Sequence, residues 1–187
     1  MAPLTTLSEN RRSTVSPSSA PVGSADDGLE IRIPVHRDGA AMWRIARDSG
    51  TLDLNTSYAY LLLARDFAAT SRLAVQDGEA VGFVLGYRRP DAPDRLFVWQ
   101  IAVDESQRGR RIAARLLDAL VADLPQVRML ESTITEDNLA SQRLFAAFAA
   151  RHGAAHRIEP LFEQGDFPDP GHQAEQLHLI GDLRAAG

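Results

Sequence analysis

Arg108, Arg110, Arg111 and Arg115 surround Gly109 in a turn that leads from an apolar run, Leu96–Asp104, into the helical pattern Arg115–Val121. The first N–H groups of a helix lack intrahelical partners and the helix dipole is positive there, so a basic, glycine-containing turn at that point suits an anion. A pyrophosphate matches both the charge and the exposed backbone. No G-x-x-x-x-G-K-[ST] occurs and no G-x-G-x-x-G follows a strand, which argues against ATP hydrolysis and dinucleotide redox chemistry. The competing role for these arginines is a solvated helix face.

Other chemistries are narrowed by composition. With no Cys, the chain has no thiolate metal site, no cysteine nucleophile and no disulfide framework. A G-x-S-x-G elbow is also absent, so an acyl-enzyme is not expected. His152 and His156 stand four apart, but Gly153 lies between them and no third ligand accompanies them, so no metal is expected. The formal charge of −5 disfavours nucleic acid as a partner. No apolar run reaches the roughly 18 residues of a membrane span, and no membrane partner is expected. Residues 1–28, rich in Ser, Thr, Pro and Ala, carry Arg11 and Arg12 without an apolar h-region and read as a disordered tail rather than a secretion signal. The expectation is a cytoplasmic protein with one domain over 29–187.

The elements that must position this turn interleave. Leu29–Ile33 alternates as a strand, Ala41–Arg47 carries a helical pattern, and a second helix runs from about Ser57 to Ala68 with Asn55, Thr56 or Ser57 as cap. Arg72–Val75, the Asp77-Gly78 hairpin signal, Ala80–Tyr87 and the strand over 96–103 make an antiparallel meander. A helix from near Gly109 ends by Pro125, followed by a strand over Arg128–Thr135, a helix over Asn138–Arg151 stopped by Gly153, and strands at Ile158–Phe162 and Gln176–Ile180. The fold class is α/β (α+β): a mixed, mostly antiparallel sheet flanked by helices in the order β-α-α-β-β-β-α-β-α-β-β. The strand-helix-strand passage in its middle demands one parallel pair.

This order, with a basic Gly turn after the longest strand, resembles the GNAT superfamily of acyl-CoA-dependent N-acetyltransferases. Its turn motif, [QR]-x-x-G-x-[GA], aligns on Gly109 and places Ser106 and Arg111 at the first and last positions, both departures from the pattern. The segments Leu52–Tyr58, Phe97–Val103, Leu130–Asn138 and His172–Glu175 further resemble the L-2,4-diaminobutyrate acetyltransferases of ectoine synthesis, over roughly residues 29–182. The resemblance implies transfer of acetyl from acetyl-CoA to the γ-amine of a diamino acid, and a homodimer. It also implies that Ile101, Val103, Arg108, Gly109, Arg110, Arg111, Ile112, Ala113 and Asn138 hold the cofactor, although Asn138 has a competing role as helix cap.

An alkylammonium has a pKa of about 10.4, so presenting the neutral amine near pH 7 costs roughly 4 kcal/mol and calls for a base within reach, directly or through one water. Asp53, Glu131 and Glu175 are the candidates inside the resembling segments. Their competing roles are a helix-start residue, a solvent-facing strand residue and a surface charge. Trp99 is placed by the resemblance in the substrate pocket, where its face can hold an ammonium, against a competing role in the core. Tyr58, His172, Asp53 and Glu175 complete the substrate-binding set. In the helical pattern N-x-x-[AS]-x-x-x-[YF] starting at Asn138, the final position is Phe145, which has no proton for the leaving thiolate. Tyr58 or water would replace it, or CoA leaves unassisted. Direct attack of the amine in a ternary complex is expected, with N–H groups of Val98–Val103 polarising the thioester. The alternatives are a GNAT enzyme acting on another small amine or a peptide N-terminus, and a non-catalytic acyl-CoA-binding module.

Overall fold

A computed structural model describes residues 28–168 and 170–183. Except for Gly28, the tail assigned to 1–28 lies outside the described residues. Seven strands form one sheet in the order β1-β2-β3-β4-β5-β7-β6, where β1 is Leu29–Arg32, β2 Ser71–Gln76, β3 Glu79–Arg89, β4 Ala92–Val103, β5 Met129–Thr135, β6 Ala155–Phe162 and β7 Glu175–Gly181. Helices α1 (Gly39–Ser49) and α2 (Ser57–Asp66) precede β2, α3 (Ile112–Ala122) joins β4 to β5, and α4 (Leu139–His152) joins β5 to β6. The element order is the one the sequence predicts. All neighbouring strands run antiparallel except β4 and β5.

Local signals explain most boundaries. The Thr56 hydroxyl accepts from the Ala59 N–H at 3.3 Å and the Asn138 side chain accepts from the Ser141 N–H at 3.0 Å, each satisfying an orphan donor of a first helical turn. Gly50 and Gly153 end α1 and α4 in the left-handed region, at φ 62° and 59°. Asp77 and Gly78 both take positive φ, 52° and 84°, as the tight turn between β2 and β3 requires.

The sheet buries both faces. On one, α3 and α4 place Ile112, Leu116, Leu120, Phe145 and Phe148 over Leu96, Val98 and Leu130. On the other, α1 and α2 place Met42, Ile45, Tyr60 and Leu63 over Leu73, Phe83 and Ala102. β4 changes its facing in mid-course. Leu85 opposes Gln100 while Gly86 opposes Val98, so Trp99 is the extra residue of a β-bulge. Before the bulge Leu96 and Val98 face α3 and α4; after it Gln100 turns to Tyr60 and Ala102 joins the α1–α2 side, while Ile101 and Val103 pack on the other. A Cβ on Gly86 would come within 2.8 Å of the Phe97 carbonyl, so only glycine fits opposite this kink.

Candidate active site

β4 and β5 part shortly after they meet. Their parallel pairing covers only Arg95–Phe97 against Met129–Glu131. Just beyond, the Ser132 hydroxyl donates to the Val98 carbonyl at 3.0 Å, so a side chain stands where the backbone ladder would have continued. The facing edges past that point satisfy no backbone groups in each other, which makes the gap a slot for an extended ligand carrying its own amides. A cleft of about 820 Å³ opens there, with Trp99 and Gln100 from β4 and Thr133 and Thr135 from β5 on its floor.

Two loops and a helix start wall it. Asp53 comes from the α1–α2 connection, His172 from the approach to β7, Glu175 from the first position of β7, and Asn138 from the start of α4. Asp53 is held through its backbone: the Gln100 amide donates to its carbonyl at 2.8 Å, and the Tyr60 hydroxyl donates to the Gln100 side-chain oxygen at 2.8 Å. Burial raises the Tyr60 phenol above its ordinary value, which keeps that proton in place. The Asp53 carboxylate itself is 89% exposed, 3.7 Å from the His172 ring nitrogen. His172 stacks flat on Phe167 with ring centroids 3.8 Å apart. Asp137, also on the cleft, accepts hydrogen bonds from Thr135 at 2.7 Å and Gln173 at 2.9 Å, which hold its carboxyl below the usual range. Trp99 keeps 44% of its surface exposed and is a cleft residue rather than a core one.

The basic turn lies past the other end of the bulged segment. Asp104 is gripped by the Arg44 guanidinium from α1, both contacts at 3.1 Å, and Arg44 also donates to the Ala80 carbonyl at 2.7 Å. Arg108 reaches back to Glu105 at 2.9 Å, while Arg110 donates to Gln107 and, at 2.9 Å, to Gln76 on β2. Gly109 and Arg111 both have positive φ, 83° and 59°. Position 111 therefore demands the conformation that a small residue adopts most cheaply, and arginine holds it under strain. Ile112 is buried beneath and fixes the start of α3, leaving Ala113 half-buried and Arg108, Gly109 and Arg111 exposed.

Several expectations are corrected. Glu131 shares the strand face of Thr133 but does not line the cleft: it is 1% exposed and held by Arg95 at 2.8 Å and Arg89 at 3.5 Å. A carboxylate so engaged is not the solvent-facing strand residue that its position suggested, and it stands apart from the cleft carboxylates Asp53 and Glu175. Tyr58, the second residue of α2, is 66% exposed and lies outside the cleft lining, because helical spacing turns Tyr60 inward in its place. Arg108 and Arg110 brace the turn through their side chains instead of standing as a purely solvated cluster. Phe145 is buried among the residues under α3 and α4. His152 pairs with Asp118 at 3.0 Å and His156 with His178 at 3.0 Å, so the two diverge. Among the described residues no group of three His, Asp or Glu side chains could hold a metal ion. Sequence reasoning passed over Gln100, Asp137 and Arg44; a glutamine at an apolar strand position was the one visible signal among them.

The acetyltransferase (GNAT) family matches residues 39–149. An L-2,4-diaminobutyric acid acetyltransferase from Streptomyces coelicolor is 54% identical over 169 residues, covering 88% of this chain and 99% of the relative. This chain belongs to the L-2,4-diaminobutyric acid acetyltransferases of the GNAT family. A member from Virgibacillus pantothenticus is 38% identical over 82% of this chain and 98% of its own length. Among solved structures, the diaminobutyrate acetyltransferase EctA from Paenibacillus lautus, in complex with L-2,4-diaminobutyric acid and coenzyme A, superposes with a TM-score of 0.79 at 37% identity, covering 83% of this chain and 95% of that one. Ard1 from Thermoplasma volcanium shares the fold alone, with a TM-score of 0.65 at 19% identity. In this chain the family assignment thus meets a cleft between splayed strands and a basic helix start at the far end of β4.

Proposed function

We propose that this protein transfers acetyl from acetyl-CoA to the γ-amine of L-2,4-diaminobutyrate, giving N-γ-acetyl-diaminobutyrate for ectoine synthesis. The observation that carries this reading is the joining, in one cleft, of the β4–β5 splay with Asp53, Glu175 and the exposed face of Trp99. Acetyl-CoA is the donor co-substrate, with its pyrophosphate on the N–H groups around Gly109 to Ala113 and its pantetheine along the edge of β4 at Ile101 and Val103. Asn138 serves as helix cap while still facing the cleft.

In this reading the substrate's ammonium lies against Trp99 and loses a proton to Asp53 or Glu175, directly or through a water. The neutral amine attacks the thioester carbonyl while β4 N–H groups near the bulge stabilise the developing oxyanion. C–N bond formation and C–S cleavage then proceed without an acyl-enzyme. With Phe145 buried and Tyr58 outside the cleft, the CoA thiolate takes its proton from water. His172 orients Asp53. A cytoplasmic setting and a homodimer complete the reading.

Purified protein mixed with acetyl-CoA and L-2,4-diaminobutyrate is expected to release free thiol in step with loss of substrate amine. Absence of release would sink the reading. Trp99→Ala is expected to lower kcat/KM for the amine by about 5–30-fold, as loss of roughly 1–2 kcal/mol of cation–π attraction requires, with acetyl-CoA binding retained.

A further inference from the structure

We propose that the cleft recognises its substrate through two ammonium groups and leaves the carboxylate unread, so that the protein also acetylates carboxylate-free diamines, with 1,3-diaminopropane as the simplest case. The inference rests on the function proposed above and extends it to a second substrate class. Three carboxylates, Asp53, Asp137 and Glu175, line the cleft, and among its described lining residues there is no Arg. The remaining candidate cation, His172, lies 3.7 Å from Asp53 and stacks on Phe167, so any charge it carries is already opposed by a carboxylate. Arg95, which stands where β4 and β5 still pair, is committed to Glu131 at 2.8 Å, and Arg89 at the end of β3 to Asp91 at 2.6 Å and Glu131 at 3.5 Å.

A substrate carboxylate brought among three like charges is repelled, and with no side-chain cation free on the described lining the donors left to it are neutral ones, such as the hydroxyls of Thr51 and Thr133 and the N–H groups at the start of α4. Turned toward the open mouth, it stays hydrated and contributes little. The two amines of diaminobutyrate are separated by three carbons, and 1,3-diaminopropane keeps that spacing while removing the carboxylate. The chemical step is unchanged. The neutral amine attacks the thioester carbonyl, the C–N bond forms as the C–S bond breaks, the amine's proton passes to a cleft carboxylate, and CoA leaves as a thiolate that takes a proton from water.

The magnitude distinguishes a read group from an unread one. A site built to hydrogen-bond a group rejects the analogue lacking it by about 10⁴–10⁵, whereas a missing methylene in an apolar pocket costs roughly 10–200-fold, which sets an upper bound for a group left hydrated and without contacts. Thiol release by the full-length protein is measured with L-2,4-diaminobutyrate, with 1,3-diaminopropane, and with 4-aminobutyrate, which keeps the carboxylate but lacks the second amine. The expected result is kcat/KM for 1,3-diaminopropane within about 200-fold of diaminobutyrate and well above that for 4-aminobutyrate. A larger loss with 1,3-diaminopropane, or 4-aminobutyrate as the better substrate of the two, overturns the proposal while leaving diaminobutyrate acetylation intact. Turnover of 1,3-diaminopropane without turnover of diaminobutyrate defeats the function proposed above and the proposal with it, because the carboxylate then excludes the amino acid instead of going unread. Silence with all three defeats both.

Discussion

Arg111 carries a conflict between backbone and side chain. Its φ of 59° lies in the left-handed region, at the position where the family pattern has Gly or Ala. Holding a non-glycine residue there costs on the order of 1 kcal/mol or more, and such strain concentrates at ligand sites. Glycine gives back part of that gain through the greater freedom of the unfolded chain. Arg111→Gly is therefore expected to raise unfolding stability by about 0.5–1 kcal/mol in a urea titration. The same change removes a guanidinium from the proposed pyrophosphate site and should raise the KM for acetyl-CoA several-fold. If stability rises while the KM stays fixed, the side chain supplies strain alone. Trp99 makes the complementary case, because its residue type suited core and pocket equally and only the bulge decided between them.

At the scale of elements, the site depends on contacts between segments far apart in sequence. Tyr60 on α2, Gln100 on β4 and the Asp53 backbone form a chain of hydrogen bonds of 2.8 Å each. Gln100→Leu breaks both links, leaves the Asp53 carbonyl without this donor and the Tyr60 hydroxyl with Asn55 as its remaining partner, and is expected to cost about 1–3 kcal/mol of stability. Because the loop carrying Asp53 is then unanchored, the KM for the diamino acid should rise by about 10-fold or more, while that for acetyl-CoA holds. Equal change in both constants would show that Gln100 supports the cleft as a whole rather than Asp53. The basic turn has its own brace, Arg44 on Asp104, built from α1 although the turn begins α3. None of these partners shares a motif, which is why the spacing of Asp53 or of the arginines did not disclose them.

Across the whole molecule, the strand order leaves β6 at the edge and packs His156 on it against His178 of β7, with ring nitrogens 3.0 Å apart. Burial holds both imidazoles below their ordinary value, and for His178 the neighbouring His156 lowers it further. Their register neighbours Ser132, Ile158 and Ile180 supply no counter-charge. The folded pair therefore stays neutral while the unfolded chain takes up protons below about pH 6.5, so stability is full above that pH and is lost as the pH falls toward the depressed folded values. The melting temperature is expected to drop between pH 7.5 and 5.5, and His156→Gln should flatten that slope; an unchanged slope would place the acid sensitivity elsewhere. The sequence by itself determined the element order, a helix cap within Asn55–Ser57 and another at Asn138, the Asp77-Gly78 turn and the placing of a basic helix start after the longest strand. These are local matters, settled by periodicity and by which residues tolerate a cap or a positive φ. Tertiary structure decided the rest: that Trp99 bulges into a cleft, that Glu131 is taken by two arginines, that Tyr60 and not Tyr58 turns inward, and that no described arginine lines the acidic cleft. Those outcomes depend on strand register and on which distant side chains neutralise one another, and neither quantity is encoded in the spacing of neighbours along the chain.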